Sequence, residues 1–174
     1  MAIRTIRQYP DPALRKPAES VAKVTKEIKK LIHDLFATMR AAHGVGLAAP
    51  QLGISKRVIV VDISEREDGK PAQVALVNPT IVREEGETEG EEGCLSFPSE
   101  LKVTIRRFAK VKVKGLGPHG RPVQVTAEGL LSRVLQHEVD HLNGILFIDR
   151  MSFSQKLKMQ QVLDALNGKE LARR

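Results

Sequence analysis

The chain has 174 residues, of which 41% are hydrophobic and 28% are charged, and its formal net charge is +7. This balance predicts one globular domain over 1–174, large enough to fold without a disulfide or a structural metal. Membrane and secreted proteins are disfavoured, because no apolar run reaches the ~18 residues of a membrane-spanning helix and 1–10 holds no signal-like apolar block. Cys94 is the only cysteine and cannot form an internal disulfide, so we expect a cytoplasmic protein.

An extended arm and a helix are predicted at the start of the chain. Residues 1–24 include three prolines, which disfavour helix and predict an arm that must be held by packing. From Thr25, a suitable N-cap, apolar side chains recur at spacings of three and four. The pattern predicts a helix over 26–42 that ends at Gly44.

The next part of the chain has the composition of strands. Two β-rich runs, 57–62 and 73–78, flank a polar turn around Asp68 and Gly69, which predicts a hairpin. The Asn78-Pro79 pair is predicted to end the second strand. Further short strands are expected at 81–83, 101–106, 109–115 and 123–126.

Helical spacing returns in the last third of the chain. It predicts one helix over 127–142 and a last helix over about 152–167, which Asn167-Gly168 is expected to stop. Long alternation of strands and helices is missing from the pattern. The predicted fold class is therefore α+β with a mainly antiparallel sheet.

Opposite charges are concentrated in two neighbouring stretches. Residues 84–92 contain six glutamates and no base, whereas 102–121 contain seven bases and no acid. The two stretches could pair with each other, as solvated strand and loop faces, or the basic one could meet RNA phosphates. Aromatic residues make up only 3% of the chain, so platforms for stacking bases are scarce and sequence-specific nucleic-acid binding is not expected.

The strongest chemical signal is the segment from His137 to His141, which has the pattern HExxH. Two histidines four residues apart lie on one face of a helix and can bind the same metal ion, with Glu138 beside a bound water. Leu130 and Val134 precede His137 on that face, which predicts an apolar pocket wall. An isolated match of this length also fits a solvated helix, so other residues must decide.

A catalytic metal site of this type needs a third protein ligand and one open position. Cys94 is the candidate, although a lone cysteine is also common as a small buried residue. A thiolate with two imidazoles suits Fe²⁺, Co²⁺, Ni²⁺ or Zn²⁺ and argues against Mg²⁺ or Ca²⁺.

Small residues dominate a third stretch, 44–51, where another chain or a ligand can approach the backbone and Gln51 offers an amide donor. Taken alone, this stretch also fits a helix C-cap at Gly44 followed by a tightly packed loop. A phosphate-binding loop is disfavoured, because no Lys-Ser or Lys-Thr pair follows the glycines.

Together, three segments resemble the signature motifs of the bacterial-type peptide deformylases: GVGLAAPQ at 44–51, EGCLS at 92–96 and QHEVDHLNG at 136–144. Their order, spacing and content all agree with the family, and the similarity covers most of the chain. The resemblance implies a deformylase-type α+β fold, with the sheet packed around the HExxH helix. It also implies removal of the formyl group from N-formylmethionyl nascent peptides and one divalent metal ion, usually Fe²⁺.

The family pattern assigns roles to matching positions of this chain. It makes Cys94, His137 and His141 the metal ligands and Glu138 the general acid/base, in agreement with the interpretation of the residues themselves. In the mechanism that we expect, a metal-activated hydroxide attacks the formyl carbon, and Glu138 accepts the proton of the water and later protonates the amine.

Substrate contacts are implied in the same way. The resemblance gives the Gln51 side chain and the backbone N–H of Leu95 as donors to the developing oxyanion, and Gly46 as a backbone contact for the peptide. Leu130 and Val134 are the candidates for the methionine pocket.

Three charged residues near the motifs have open interpretations. Glu92 and Asp140 are candidates to accept the second ring N–H of a metal-bound histidine, or they bond elsewhere. Arg133 lies one turn before His137, where it is either a rim residue with a solvated charge or an ordinary exposed residue.

Two rival functions remain open at this stage. HExxH also occurs in endopeptidases, although no histidine follows His141 here to serve as their third ligand. Residues 150–174 carry six bases and two acids, so a C-terminal helix could instead, or in addition, dock on ribosomal RNA near the emerging chain.

Overall fold

The computed structural model describes residues 2–64 and 73–171, which form three α-helices and seven strands. The helices are α1 (Lys26–Ala41), α2 (Gly129–Leu142) and α3 (Phe153–Leu171). The strands are β1 (Gly46–Ala48), β2 (Val58–Asp62), β3 (Gln73–Glu85), β4 (Thr88–Glu92), β5 (Val103–Arg107), β6 (Lys110–Leu116) and β7 (Pro122–Glu128). Single 3-10 turns are formed by Pro12–Arg15, Ala49–Leu52 and Phe147–Arg150.

The strands form two antiparallel sheets. One has five strands in the order β1-β2-β3-β6-β7, and the other is the pair β4-β5. The predicted α+β class with a mainly antiparallel sheet is confirmed, as is the pairing of β2 with β3. The predicted turn around Asp68 and Gly69 lies outside the described residues.

Strand β3 does not end at Asn78-Pro79, so that prediction was wrong. The strand continues to Glu85 with a shift of register between Val77 and Thr80, and Asn78 takes a left-handed φ of 52°. The Asn78 side chain bonds both the N–H and the C=O of Val21, at 2.9 and 2.8 Å. A bulge of this kind accommodates a proline that cannot donate to the ladder.

Helix α1 matches its prediction to within one residue. Thr25 caps it by accepting a hydrogen bond from the N–H of Ile28 at 3.5 Å. The residue with positive φ after the helix is His43, at 54°, and not Gly44. Gly44 instead leaves room for the Leu95 side chain, which would have to shift because a Cβ at Gly44 would lie 2.5 Å from its Cδ1.

Helix α2 occupies the centre of the molecule and packs against β1 and β2. It begins at Gly129, two residues later than predicted, and every residue over 132–142 is buried. Its apolar side chains join the strands in one core cluster, formed with others by Ile59, Val61, Leu76, Val113, Leu135 and Leu142. The backbone that carries the functional side chains of this helix is therefore fixed by the core.

Helix α3 is longer than predicted, because Asn167-Gly168 does not stop it. A glycine in an exposed helix costs about 1 kcal/mol relative to alanine, which weakens a helix without ending it. Only part of the predicted apolar stripe is covered: Met159, Leu163 and Leu166 pack on the core, whereas Phe153 is 78% exposed. None of the helices in the described residues combines the length and the hydropathy that crossing a bilayer requires.

The two oppositely charged stretches pair with each other, as one interpretation predicted. Strands β4 and β5 lie side by side, and Arg106 contacts Glu87 and Glu89 at 3.4 and 3.5 Å. Lys102 lies 3.6 Å from Glu91. These side chains are exposed, so each pair contributes at most about 1 kcal/mol.

The N-terminal arm is tied to the body by backbone and side-chain hydrogen bonds, as expected. Its strongest attachment is the buried carboxylate of Asp34 in α1, which accepts from the N–H of Ala2 at 2.8 Å and from Arg4 at 2.9 and 2.6 Å. Lys30 adds a contact of 2.9 Å. Burial alone would raise the pKa of Asp34, but these donors outweigh it and hold the pKa well below its usual range.

We expect Asp34→Asn to lower the free energy of unfolding by about 2 kcal/mol at pH 7, because charged hydrogen bonds are lost. A carboxylate whose pKa is lower in the folded state than in the unfolded state stabilises the fold at pH values above the unfolded pKa of about 4. This stabilisation is lost as the pH falls from there through the folded pKa. The difference between the variant and the parent should therefore shrink below pH ~4. Urea unfolding across this pH range checks it, with Asp164→Asn on the exposed face of α3 as the control.

Candidate active site

Three donor side chains from different parts of the chain meet beside α2. Cys94 follows β4 in a turn, whereas His137 and His141 lie one helical turn apart on α2. The Sγ of Cys94 lies 3.3 Å from Nε2 of His141, which lies 3.2 Å from Nε2 of His137. The three ligand atoms all lie within 4.8 Å of one another.

The two shortest of these separations are close to those around a tetrahedral metal ion. Nitrogen and sulfur ligands at about 2.0–2.3 Å from one centre lie about 3.3–3.6 Å apart in a tetrahedron. Burial lowers the pKa of His141, which favours the neutral imidazole that binds a metal. Burial opposes charge on His137 as well, but hydrogen bonds with Cys94 and Glu92 outweigh it and raise the pKa of His137. One thiol and two imidazoles brought this close together can hold a divalent cation.

Glu92, the last residue of β4, orients one of the two histidines. Its Oε2 lies 3.0 Å from Nδ1 of His137, so the Nε2 atom of that ring faces the donor cluster. Burial alone would raise the pKa of Glu92, but hydrogen bonds from His137 and Arg107 lower it to about 2. An ionised carboxylate in this place fixes the tautomer of the ring.

Glu138 is the one carboxylate of α2 that faces the same space. The residue is 3% exposed, and its Oε2 atom has no hydrogen-bond partner among the residues that the structure describes. Burial raises the pKa of Glu138 to about 7, with a smaller opposing effect from His137. An unpaired buried carboxyl group is costly to the fold, which is typical of a group kept for chemistry.

Gln51 reaches the cluster from the 3-10 turn after β1. Its Oε1 accepts from the backbone N–H of Ala48 at 2.9 Å, which turns the NH₂ group towards Cys94. The Nε2 atom then lies 3.1 Å from Oγ of Ser96 and 3.5 Å from Sγ of Cys94. Leu95 lies between these two residues, so its backbone borders the same place.

A cavity of about 460 Å³ opens onto these groups. Its lining contains the predicted site residues except His141: Gly46, Gln51, Cys94, Leu95, Leu130, Val134, His137 and Glu138. The structure thus brings all the sequence-predicted site residues to one place. Most of the accessible surface of the cavity is apolar, which suits an apolar side chain beside a polar reacting group.

Comparison with known proteins agrees with this geometry. Residues 3–157 match the family model described as polypeptide deformylase. The chain belongs to the polypeptide deformylase family. The peptide deformylase of Aquifex aeolicus is 50% identical over 149 residues, which cover 86% of this chain and 88% of that protein.

Solved structures of deformylases share the fold. The structure from Legionella pneumophila has a TM-score of 0.84 and 45% identity, with 99% of each chain covered. The one from Ehrlichia chaffeensis has a TM-score of 0.88 and 34% identity, again over 99% of each chain. The deformylase fold that the three sequence motifs implied is therefore confirmed.

Two interpretations of charged residues need correction within this deformylase site. Arg133 does not keep its charge in water: it is buried and donates to Glu92 at 2.8 Å and to the carbonyl of Ile105 at 2.8 Å. Asp140 does not orient a histidine, because it pairs with Arg107 at 2.5 Å and with both nitrogens of the Arg150 fork. Neither carboxylate of this network reaches Nδ1 of His141.

Sequence reasoning missed Arg107, the centre of this buried network. It contacts Glu92 at 2.8 and 3.0 Å and Asp140 at 2.5 Å, and so joins β5 to β4 and to α2. Its position in the basic stretch gave no distinguishing signal, because the neighbouring Arg106 has the same type and is exposed. The alternation of buried and exposed residues along β5 was the available clue.

Proposed function

We propose that this chain is a metal-dependent hydrolase that removes the formyl group from the N-terminal formylmethionine of newly synthesised polypeptides. The observation that carries the proposal is the cluster of Cys94, His137 and His141, with Glu138 beside it, in a member of the deformylase family. In the reaction, water attacks the formyl carbon, the carbon–nitrogen bond breaks, and formate and a peptide with a free amine are released.

The cofactor that we propose is one divalent metal ion, most simply Fe²⁺, with Ni²⁺, Co²⁺ or Zn²⁺ as substitutes in a preparation. A thiolate and two imidazoles are soft ligands that suit this group of ions. When bound, such an ion supplies Lewis-acid activation of water and of the formyl oxygen.

Glu138 moves the proton in this proposal. Its carboxylate faces the cavity and makes no competing hydrogen bond at Oε2 within the described residues. It accepts a proton from the attacking water and returns it to the amine nitrogen when the carbon–nitrogen bond breaks. One group thus serves as base and then as acid.

Two donors stabilise the negative charge that develops on the formyl oxygen. The Gln51 side chain is held in place by Ala48 and Ser96, so its NH₂ group is directed at the donor cluster before the charge forms. The backbone N–H of Leu95 is the second donor. Gly46 contributes a backbone contact to the bound peptide.

Leu130 and Val134 form the wall of the methionine pocket in this proposal, since both line the cavity, two turns and one turn before His137 respectively. We expect Leu130→Glu to raise KM for a formyl-Met tripeptide at least about tenfold, because a charged group would enter an apolar pocket. Leu130→Met keeps the pocket apolar and is the matched control. If the glutamate variant kept the kcat/KM of the parent, Leu130 would not line the methionine pocket.

The test of the function is formate release from a formyl-Met tripeptide by protein prepared anaerobically with Fe²⁺. An acetyl-Met tripeptide and a Cys94→Ala variant are run beside it. Formate from the formyl peptide alone, abolished in the variant, supports the proposal. Cleavage of an internal amide without formate release would favour the endopeptidase alternative. If neither formate release nor internal cleavage were detected, the proposal that this chain hydrolyses peptides would be overturned.

We also propose that the chain works in the cytoplasm and docks on the ribosome through basic residues of α3. Phe153 and Leu157 lie one turn apart on this helix and are exposed, and Lys156 and Lys158 flank Leu157 in the sequence. Reversing both lysine charges should abolish salt-sensitive co-sedimentation with ribosomes while formate release from a tripeptide stays unchanged. Co-sedimentation equal to that of the parent would exclude docking through α3.

A further inference from the structure

The carboxylate of Glu138 is held in place by shape more than by polar contacts. Its Oε2 atom has no hydrogen-bond partner in residues 2–64 and 73–171, although the side chain is almost completely buried. A glutamate has three side-chain torsions, so an unanchored carboxylate needs neighbours that limit its rotamers. The backbone of β1 is one such neighbour, since β1 packs directly on α2.

Gly46, the first residue of β1, leaves the space that the Glu138 carboxylate fills. A Cβ atom built on Gly46 would lie 2.4 Å from Oε1 and 2.9 Å from Cδ of Glu138. It would also lie 2.8 Å from Cγ1 of Val134. Each distance is too short for real atoms, so any side chain at this position must displace the carboxylate, the valine or both.

We propose that Gly46 is a positioning residue for Glu138, because its lack of a side chain provides the slot that aims the carboxylate into the cavity. This inference rests on the proposed function, in which Glu138 transfers the proton. It is distinct from the backbone contact with the peptide, which an alanine would retain. It also explains why a glycine stands in a buried strand, where it weakens the sheet.

The atoms that a Cβ would meet indicate what an alanine does. They are the ends of two side chains and not backbone, so the carboxylate can rotate away and the fold can persist. The displacement required is of the order of an ångström. Misplacement of a reacting group by about 1 Å can cost about 10²-fold in rate.

The experiment measures kcat, KM, bound nickel and the thermal midpoint of Ni²⁺-loaded Gly46→Ala. We expect kcat to fall about 100-fold, with KM within about threefold of the parent and one metal retained. Gly168→Ala, where nothing lies within 4 Å of the added atom, is the control for a glycine replacement and should keep the activity of the parent. An unchanged kcat, or a loss confined to KM, would overturn the proposal.

A double-variant cycle tests the contact without reference to activity. Glu138→Ala removes the carboxylate, so Gly46→Ala should lower the thermal midpoint less in that background than in the parent. If Gly46→Ala alone does not fold, recovery of folding in the double variant supports the contact, and an equal loss in both backgrounds overturns it. A parent protein that releases no formate would refute the proposed function, whereas the cycle would still decide the contact.

Discussion

Glu138→Gln should lower kcat for formate release by about 10²–10⁴-fold, the range that a positioned general acid or base contributes. Glutamine has nearly the same shape, so the variant keeps the packing against Gly46 and Val134. It cannot accept a proton from water at neutral pH. The loss should therefore appear in kcat while KM for the formyl peptide changes little.

The same substitution should not weaken the fold. In the parent, Glu138 buries a carboxylate whose Oε2 atom has no hydrogen-bond partner among the described residues, and burial of an unpaired charge opposes folding. A neutral amide removes that cost. We expect the free energy of unfolding to stay the same or rise, which is the pattern of a residue kept for activity at the expense of stability.

Steady-state kinetics with metal-loaded protein, together with metal content and urea unfolding, check both expectations. Glu128→Gln is the matched control, because Glu128 is an exposed residue just before the same helix, paired with Lys110 at 2.6 Å. It should retain activity within about twofold, as surface pairs contribute little. Equal kinetics of the two variants would show that Glu138 does not transfer the proton.

The cluster of candidate metal ligands was predictable because most of its signal is local. His137 and His141 are four residues apart, so helical geometry alone places both on one face. Cys94 was recognised by being the only thiol and by the family motif around it. The structure brings its Sγ atom to 3.3 Å from His141, although the two are 47 residues apart along the chain.

The buried arginines were not predictable from such local signals. Arg133 looked like an exposed helix residue because arginine is rarely buried without a partner, and its partner Glu92 belongs to a distant strand. Only the docking of the β4-β5 pair on α2 brings Glu92, Arg107 and Arg133 together. The pairing of these buried charges with one another is therefore a property of the tertiary fold.

The errors in the strands and in α3 have the same origin. Proline and glycine were interpreted as ends of elements, but neither ends its element here. The Asn78 side chain fixes the bulge around Pro79 by bonding to Val21, which lies in the arm. Helix α3 continues past Gly168 to Leu171, because a glycine weakens an exposed helix without ending it.

The second large effect is expected at Glu92. Glu92→Ala should lower the free energy of unfolding by about 3–5 kcal/mol, since removal of one partner leaves buried charges without compensation. Arg107 would retain Asp140, but Arg133 would retain only backbone carbonyls. The variant should also bind the metal about 10–100-fold more weakly, because His137 loses the acceptor for its Nδ1–H.

A glutamate on the same strand provides the control. Glu89 contacts the exposed Arg106 at 3.5 Å, so Glu89→Ala should change the unfolding free energy by at most about 1 kcal/mol and leave metal affinity unchanged. Urea unfolding of the metal-free proteins measures the first effect, and competition with a chelator measures the second. Similar results for the two variants would contradict a special role for Glu92.

The double variant Glu92→Leu, Arg133→Met separates the two roles of this carboxylate. Replacing a buried ion pair by apolar residues of similar volume is often neutral or stabilising, so the pair of changes should recover the part of the lost stability that comes from the unpaired Arg133. Arg107 still lacks its two contacts with Glu92 in this variant. Metal affinity should stay low, because leucine cannot accept a hydrogen bond from His137. If affinity returned together with stability, the metal site would depend on Glu92 only through the fold, and orientation of His137 would not be its function.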